Sequence, residues 1–270
     1  MLTRFVNAGL VFDVDDLGDS GAPGVVLLHG FPQDRTAWAG VAPVLVAEGL
    51  RVLAPDLRGY SPGASPRDRR QYTLDLLTTD VLALADQAGL ARFDLVGHDW
   101  GAALAFHVAG TFPDRVRTLT ALSVPHRGAW AQAALRGTQL WHSAYIGFFQ
   151  LPRLPERVLA RGIAGRLRRS GLDEQHARRY AERGARGGLD AALNWYRAMT
   201  LPGGKRFPRV TVPTLYAWGD RDEFVTERLA RLCGGWVDGE YTFEILRGVN
   251  HWIPELHPSR AAELVLSRRR

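Results

Sequence analysis

The sequence nearly lacks two residue types. Cys233 is its single cysteine, so no disulfide can form within the chain, which fits a reducing compartment. Lys205 is its single lysine; the rest of its 34 basic residues are arginine. Against 28 acids the net charge is +6, and the pI is about 10.0. A pI that high raises a polyanion as partner. The distribution argues against it. Ten arginines fall between Arg153 and Arg186, interrupted by Glu156, Asp173, Glu174 and Glu182, and three more end the chain as Arg268-Arg269-Arg270. No nucleic-acid motif accompanies them. They read as a solvated helix face and a frayed end, so no nucleic acid is expected. Long apolar runs are missing too. Stretches such as Val25–Leu28 fall far below the roughly 20 residues of a membrane helix. The start, Met1-Leu2-Thr3-Arg4-Phe5, is strand-like and lacks the pattern of a secretory leader. A cytoplasmic protein without membrane contact is expected.

What is present is ordinary globular composition, 46% hydrophobic and 23% charged. Short β-branched runs at Val25–Leu28, Arg51–Ala54, Phe93–Val96 and Val116–Leu122 read as buried strands. Leu74–Ala88 and Ala102–Phe112 carry helical spacing between them. Strands alternating with helices imply a parallel sheet with crossovers. From about Arg127 to Lys205 strand signals vanish, and arginine-rich helical segments take over, broken by Leu151–Pro155 and Gly187-Gly188. After Pro202-Gly203-Gly204 the alternation resumes, with strands at Thr214–Trp218 and Tyr241–Leu246 and a closing helix at Pro258–Leu266. The expected architecture is a discontinuous α/β core, residues 1–127 and 206–270, with a helical cap at 128–205.

The chemistry concentrates at Gly97-His98-Asp99-Trp100-Gly101, between a strand and a helix. Small residues two positions either side of a central side chain are what a nucleophile elbow needs, because the turn is too sharp for larger ones. The central side chain then projects at the carboxyl end of the sheet, beside a helix N-terminus that favours negative charge. Here it is Asp99. A carboxylate is ionised at neutral pH without a base, and attack on an sp3 carbon would leave an ester on the enzyme.

The companions of such a nucleophile follow in the expected order. His29-Gly30-Phe31-Pro32 succeeds the first buried strand, where an oxyanion-hole loop belongs; Phe31 and Trp100 are the candidate N–H donors. Pro32 donates no hydrogen bond, and a cis bond would fix that loop. Asp222 is the candidate acid after the strand at Leu215–Trp218, with Asp220 the runner-up, and His251 the candidate base after the last strand. Ser123-Val124-Pro125-His126, at the other strand end where an acid might stand, holds none.

Over nearly its whole length the sequence resembles the α/β-hydrolase superfamily, and within it the soluble epoxide hydrolases. The resemblance rests on His29–Pro32 for their His-Gly-x-Pro, on Gly97–Gly101 for their Gly-His-Asp-Trp-Gly, and on the loop Asp56–Ser61. It extends into the cap. That family places one tyrosine ahead of a Phe-Gln-x-Pro stretch and another in Asn-Trp-Tyr-Arg. Here these are Tyr145, ahead of Phe149-Gln150-Leu151-Pro152, and Tyr196, in Asn194–Arg197. The resemblance implies an α/β-hydrolase fold, a mostly parallel sheet flanked by helices with a helical cap. It implies a small-molecule epoxide as substrate and Tyr145 and Tyr196 as proton or hydrogen-bond donors to its oxygen. No metal or organic cofactor is called for. Trp38, Phe148 and Trp252 are candidate pocket walls, with Phe31 and Trp100. Oligomeric state stays open, a homodimer included.

Two other readings share these residues. A haloalkane or haloacetate dehalogenase also uses an aspartate nucleophile, but the tyrosine pair speaks against it. A ligand receptor on the same fold would ordinarily have lost one of the three residues, and all three are present. A serine esterase is disfavoured because Asp99 occupies the elbow.

Overall fold

A computed structural model describes residues 1–135, 144–184, 189–201 and 207–269. The breaks at Gly187-Gly188 and Pro202-Gly203-Gly204, the expected cap boundary beside Lys205, and the terminal Arg270 lie outside the described residues. Eight strands form one sheet: β1 (Arg4–Asn7), β2 (Leu10–Leu17), β3 (Gly24–Leu28), β4 (Arg51–Pro55), β5 (Phe93–His98), β6 (Val116–Leu122), β7 (Thr214–Gly219) and β8 (Tyr241–Leu246). Their order is β1-β2-β4-β3-β5-β6-β7-β8. β2 pairs antiparallel with β1 and β4, and every other pairing is parallel.

Each central strand is buried on both faces, which is why β3 reads as an unbroken apolar run. Val26 and Leu28 face one layer, with Leu84 of α2 (Leu74–Gln87) and Leu104 of α3 (Trp100–Thr111). Val25 and Leu27 face the other, with Leu45 of α1 (Ala42–Ala47) and Leu264 of α11 (Pro258–Arg268). Trp38 belongs to this second layer and is 1% exposed.

Between β6 and β7 the described residues hold helices and no strand: α4 (Arg127–Leu135), α5 (Ala144–Phe149), α6 (Leu154–Arg169), α7 (Glu174–Arg183) and α8 (Asn194–Ala198). Two short helices, α9 (Glu227–Arg231) and α10 (Ile253–Leu256), follow β7 and β8. α6 through α8 bury a cluster of their own around Leu159, Ile163, Tyr180 and Tyr196, and Trp252 joins it from the loop after β8. The arginine face is only partly the solvated surface expected. Arg157, Arg161 and Arg168 are exposed, but Arg183 turns inward, pairs with Asp34 at 2.9 Å and lies over the Tyr60 ring. Helical spacing alone does not show which arginine meets a carboxylate on another element.

The loop Asp56–Ser61 seats these helices. Its Arg58 is buried against Asp80 of α2 at 2.6 Å, and its carbonyl accepts from Trp195 Nε1 at 2.7 Å. Since Trp195 uses the backbone, Arg58→Ala leaves that contact in place and removes the charge pair, together with the Nη1 donation to the Gln71 carbonyl. It would strand the Asp80 carboxylate in the core. Urea unfolding is expected to show a loss of about 3–5 kcal/mol; a loss near zero would mean the pair is not desolvated.

Candidate active site

The turn at Asp99 is tighter than its sequence implies. β5 runs on to His98 and α3 begins at Trp100, so Asp99 alone makes the reversal, at φ 53 and ψ −120. The expected five-residue turn is shorter because its glycines sit inside the elements. A Cβ at Gly97 would stand 2.3 Å from the Gly101 carbonyl oxygen, and one at Gly101 would stand 2.1 Å from that of Leu28. The nucleophile loop therefore packs directly on β3. Gly30 closes the other side, where a Cβ would meet Asp99 Cβ at 2.3 Å.

Around Asp99 the expected groups converge. The Phe31 backbone N–H donates to Asp99 Oδ1 at 2.7 Å, from a loop containing a cis Phe31–Pro32 bond. His251 Nε2 lies 3.5 Å from Asp99 Oδ2, and His251 Nδ1 donates to Asp222 Oδ2 at 2.7 Å. Asp222 Oδ1 accepts the N–H groups of Phe224 and Val225 at 2.8 and 3.0 Å, so its carboxylate is locked in place. Asp220 turns away and accepts from the Gly248 N–H at 2.7 Å. Trp100 opens α3, with its ring edge-on to Tyr196 at 5.0 Å.

The two tyrosines meet at this carboxylate. Tyr145 and Tyr196 lie with ring centroids 6.0 Å apart, and both line clefts that Asp99 also lines. The residues beside them in sequence explain the pairing. Gln150 Nε2 donates to the Tyr196 carbonyl at 2.9 Å, and Arg197 Nε to the Phe149 carbonyl at 3.1 Å. Arg197 also pairs with Glu156 at 2.8 Å. The Phe-Gln-x-Pro and Asn-Trp-Tyr-Arg stretches are thus two halves of one clasp joining α5 to α8.

Two clefts flank the tyrosine pair. The first spans about 550 Å³, part of it open to solvent, and is lined by Phe31, Leu159, Ile163, Phe224, His251 and Trp252 among others. The second spans about 440 Å³, also partly open, beside Trp100, Trp130, Ile146 and Met199. Trp38 and Phe148 do not line either, contrary to expectation. Trp38 lies in the layer across the sheet, and on the short helix α5 it is Phe149 that turns inward.

Several residues of the site carry no motif of their own. Gln33 Oε1 accepts from the Gly30 N–H at 2.6 Å and meets His98 Nδ1 at 2.9 Å, tying the Phe31 loop to β5. His98 Nε2 meets the His251 carbonyl at 2.8 Å, and burial holds this ring neutral, down to about 3. The only signal for these residues is adjacency to motifs. Among the described residues no group of three His, Cys, Asp or Glu side chains could hold a metal ion.

Electrostatics set the protonation of the centre. Burial alone would lower His251, but the carboxylates of Asp222 and Asp99 outweigh it and raise the ring to about 10. Burial would raise Asp99, yet hydrogen bonding and charge from His251, with the Phe31 N–H, hold it below the ordinary carboxylate value. Burial, reinforced by Asp99, lifts both Tyr145 and Tyr196 above the ordinary phenol value, so both keep their protons. Because the folded His251 value is raised, its contribution to stability is fully present below about 6.5, the ordinary histidine value, and is lost as pH rises through about 10. In Asp222→Asn the ring should titrate lower by at least about one pH unit, read by NMR. The stability advantage of the wild type over that variant should shrink as pH climbs. An unchanged titration would show that Asp222 does not set the charge of the ring.

The likeness to known proteins extends over this whole arrangement. The family model for the alpha/beta hydrolase fold matches residues 23–258. AB hydrolase superfamily protein YfhM of Bacillus subtilis (strain 168) is 34% identical, with 97% of this chain and 96% of that protein covered. Epoxide hydrolase 4 of Homo sapiens is 30% identical, with 97% of this chain and 76% of that protein covered. Among solved structures, that of Epoxide Hydrolase A from Mycobacterium thermoresistibile superposes with a TM-score of 0.84 at 27% identity, covering 98% of this chain and 96% of that one. An eight-stranded sheet, an acid-bearing elbow on its fifth strand and a match spanning core and intervening helices lead to one placement: the chain belongs to the α/β-hydrolase family.

Proposed function

We propose that this hydrolase opens epoxides to vicinal diols through an ester on Asp99. The observation that carries the reading is the pair of protonated tyrosines, Tyr145 and Tyr196, lining the same clefts as an ionised carboxylate. Relatives named epoxide hydrolase, in mouse and human as well as in Mycobacterium tuberculosis, support it. In this reading residues 128–205 are a cap whose tyrosines close over a core formed by 1–127 and 206–270.

Asp99 Oδ1 is taken by the Phe31 N–H, which leaves Oδ2 to attack. The Oδ2–carbon bond forms as the ring carbon–oxygen bond breaks, and the ring oxygen takes a proton from a tyrosine hydroxyl. The ester removes the negative charge of Asp99, and with it one of the two charges that keep His251 protonated. Supported by Asp222 alone, the ring gives up its proton more readily; that proton restores the tyrosine hydroxyl, and the neutral ring becomes the base that the second step needs. His251 then takes a proton from water, and the oxygen adds to the ester carbonyl carbon. The resulting oxyanion is held by the N–H groups of Phe31 and Trp100. Collapse releases the diol, which carries away the proton on His251; the carboxyl proton left on Asp99 by the added water then passes to His251, restoring the carboxylate and the protonated ring.

Asp99→Ala should abolish diol formation from styrene oxide, measured by chromatography. His251→Gln should form the ester without releasing it, so intact-protein mass spectrometry should show a mass of enzyme plus epoxide. A folded, inactive His251→Gln protein with no adduct would place His251 in the first step. Replacing both tyrosines by Phe should lower kcat by two orders of magnitude or more, since one such donor is typically worth about a hundredfold. A loss under about tenfold would assign oxygen activation elsewhere. Halide release from haloalkanes in the absence of diol formation would replace the reading with a dehalogenase.

A further inference from the structure

Among the described residues, Arg127 is the one cationic side chain lining the second cleft, and Asp99 is the one carboxylate there. The rest of the described wall is apolar or aromatic. Arg127 has no carboxylate within ion-pairing distance and makes no side-chain hydrogen bond among the described residues. The segments outside the described residues contain no Asp or Glu that could serve. The contrast with other arginines removed from solvent is sharp. Arg51 pairs with Asp16, Arg58 with Asp80, Arg183 with Asp34 and Arg197 with Glu156, each at 2.9 Å or less.

Among the described residues no carboxylate or hydrogen bond repays Arg127's loss of water, and the Phe207 ring offsets it only in part. It is the first residue of α4, where the helix dipole opposes a cation. Burial lowers its pKa, and no charge or hydrogen bond offsets that. Of its neighbours, His126 is held neutral by burial, down to about 4, and His107 is lowered by burial and already bonded to Asp75 at 2.9 Å. Its nearest aromatic partner is Phe207, whose ring centroid lies 5.9 Å from the guanidinium carbon. A planar guanidinium left in this state is matched in shape and charge by a carboxylate, which it grips through two parallel hydrogen bonds. A single arginine among apolar walls suits one carboxylate better than a phosphate.

We propose that Arg127 is an anion-binding residue of the second cleft and that the protein selects small epoxides bearing a carboxylate. The ring sits at Asp99 and the carboxylate at Arg127, both of which line this one cleft. The arginine also offsets the repulsion that an anionic substrate meets from the Asp99 carboxylate. The choice of substrate rests on the epoxide reading; the anion site does not.

The test compares 5,6-epoxyhexanoate with its neutral amide, and measures binding of hexanoate, which has no ring to open, by calorimetry. The wild type should favour the acid over the amide in kcat/KM by about tenfold or more, the worth of a hydrogen bond to a charged group. Arg127→Met should bring that ratio to about one through a rise in KM for the acid, and Arg127→Lys should recover part of it. Hexanoate should bind the wild type and not Arg127→Met, with both folded by circular dichroism. A wild-type ratio of one, or a ratio kept by Arg127→Met, would overturn the selection. Equal hexanoate binding by wild type and Arg127→Met, or none by either, would overturn the anion site. If neither epoxide is opened, the epoxide reading falls, and hexanoate alone decides the anion site.

Discussion

The backbone at Asp99 governs the rest of the molecule. A non-glycine residue at φ 53 is in a conformation that costs on the order of 1–3 kcal/mol and persists only where its surroundings enforce it. Here β5 enters and α3 leaves within one residue, and the helix lies on β3 with no room for a side chain at Gly97 or Gly101. That compression turns Asp99 out at the carboxyl end of the sheet and brings it against the Phe31 N–H. The loops after β3, β7 and β8 bring in Phe31, Asp222 and His251, and each takes its position relative to a carboxylate that cannot move far.

Charge is the second constraint. Three ionisable groups, Asp222, His251 and Asp99, lie in line, with contacts of 2.7 and 3.5 Å, in a setting otherwise walled by aromatic rings. The longer of the two contacts is the one that the proposed chemistry breaks, and the shorter one persists through both steps. Asymmetry of this kind lets the imidazole respond to the state of Asp99 while its orientation stays fixed by Asp222.

Much of this was legible in sequence because steric necessity leaves a pattern. Gly97 and Gly101 flank Asp99 since nothing larger fits, and strand order put Asp222 ahead of His251. Other features had no such signature. Phe148 and Phe149 are neighbours on a six-residue helix, too short for periodicity to say which faces inward. Trp38 sits in a 3-10 turn, and composition does not reveal on which side of a sheet a turn will lie. Arg183 and Arg127 are two arginines among many, told apart only by tertiary partners: one has Asp34, the other no carboxylate among the described residues and only the Phe207 ring. The acid-rich strand β2 is concealed by Asp13, Asp15 and Asp16, whose charges are absorbed by arginines of other elements, Asp13 by Arg4, Asp15 by Arg35 and Asp16 by Arg51.

The polar contacts that seat α7, α8 and the end of α6 land on a few loops. Arg183 reaches Asp34 after β3, and Trp195 reaches the Arg58 carbonyl after β4. After β8, Asn250 donates to the Gly171 carbonyl, Trp252 to that of Ser170, and Glu255 accepts from the Tyr180 hydroxyl. Two of these loops also carry Phe31 and His251. The seats of the helical insertion and the reacting groups are therefore written into the same few stretches of chain. Neither can drift independently, so a chimera exchanging only the helical segment with a relative would inherit the chemistry without the fastenings; the transferable unit is the insertion together with the loops after β3, β4 and β8.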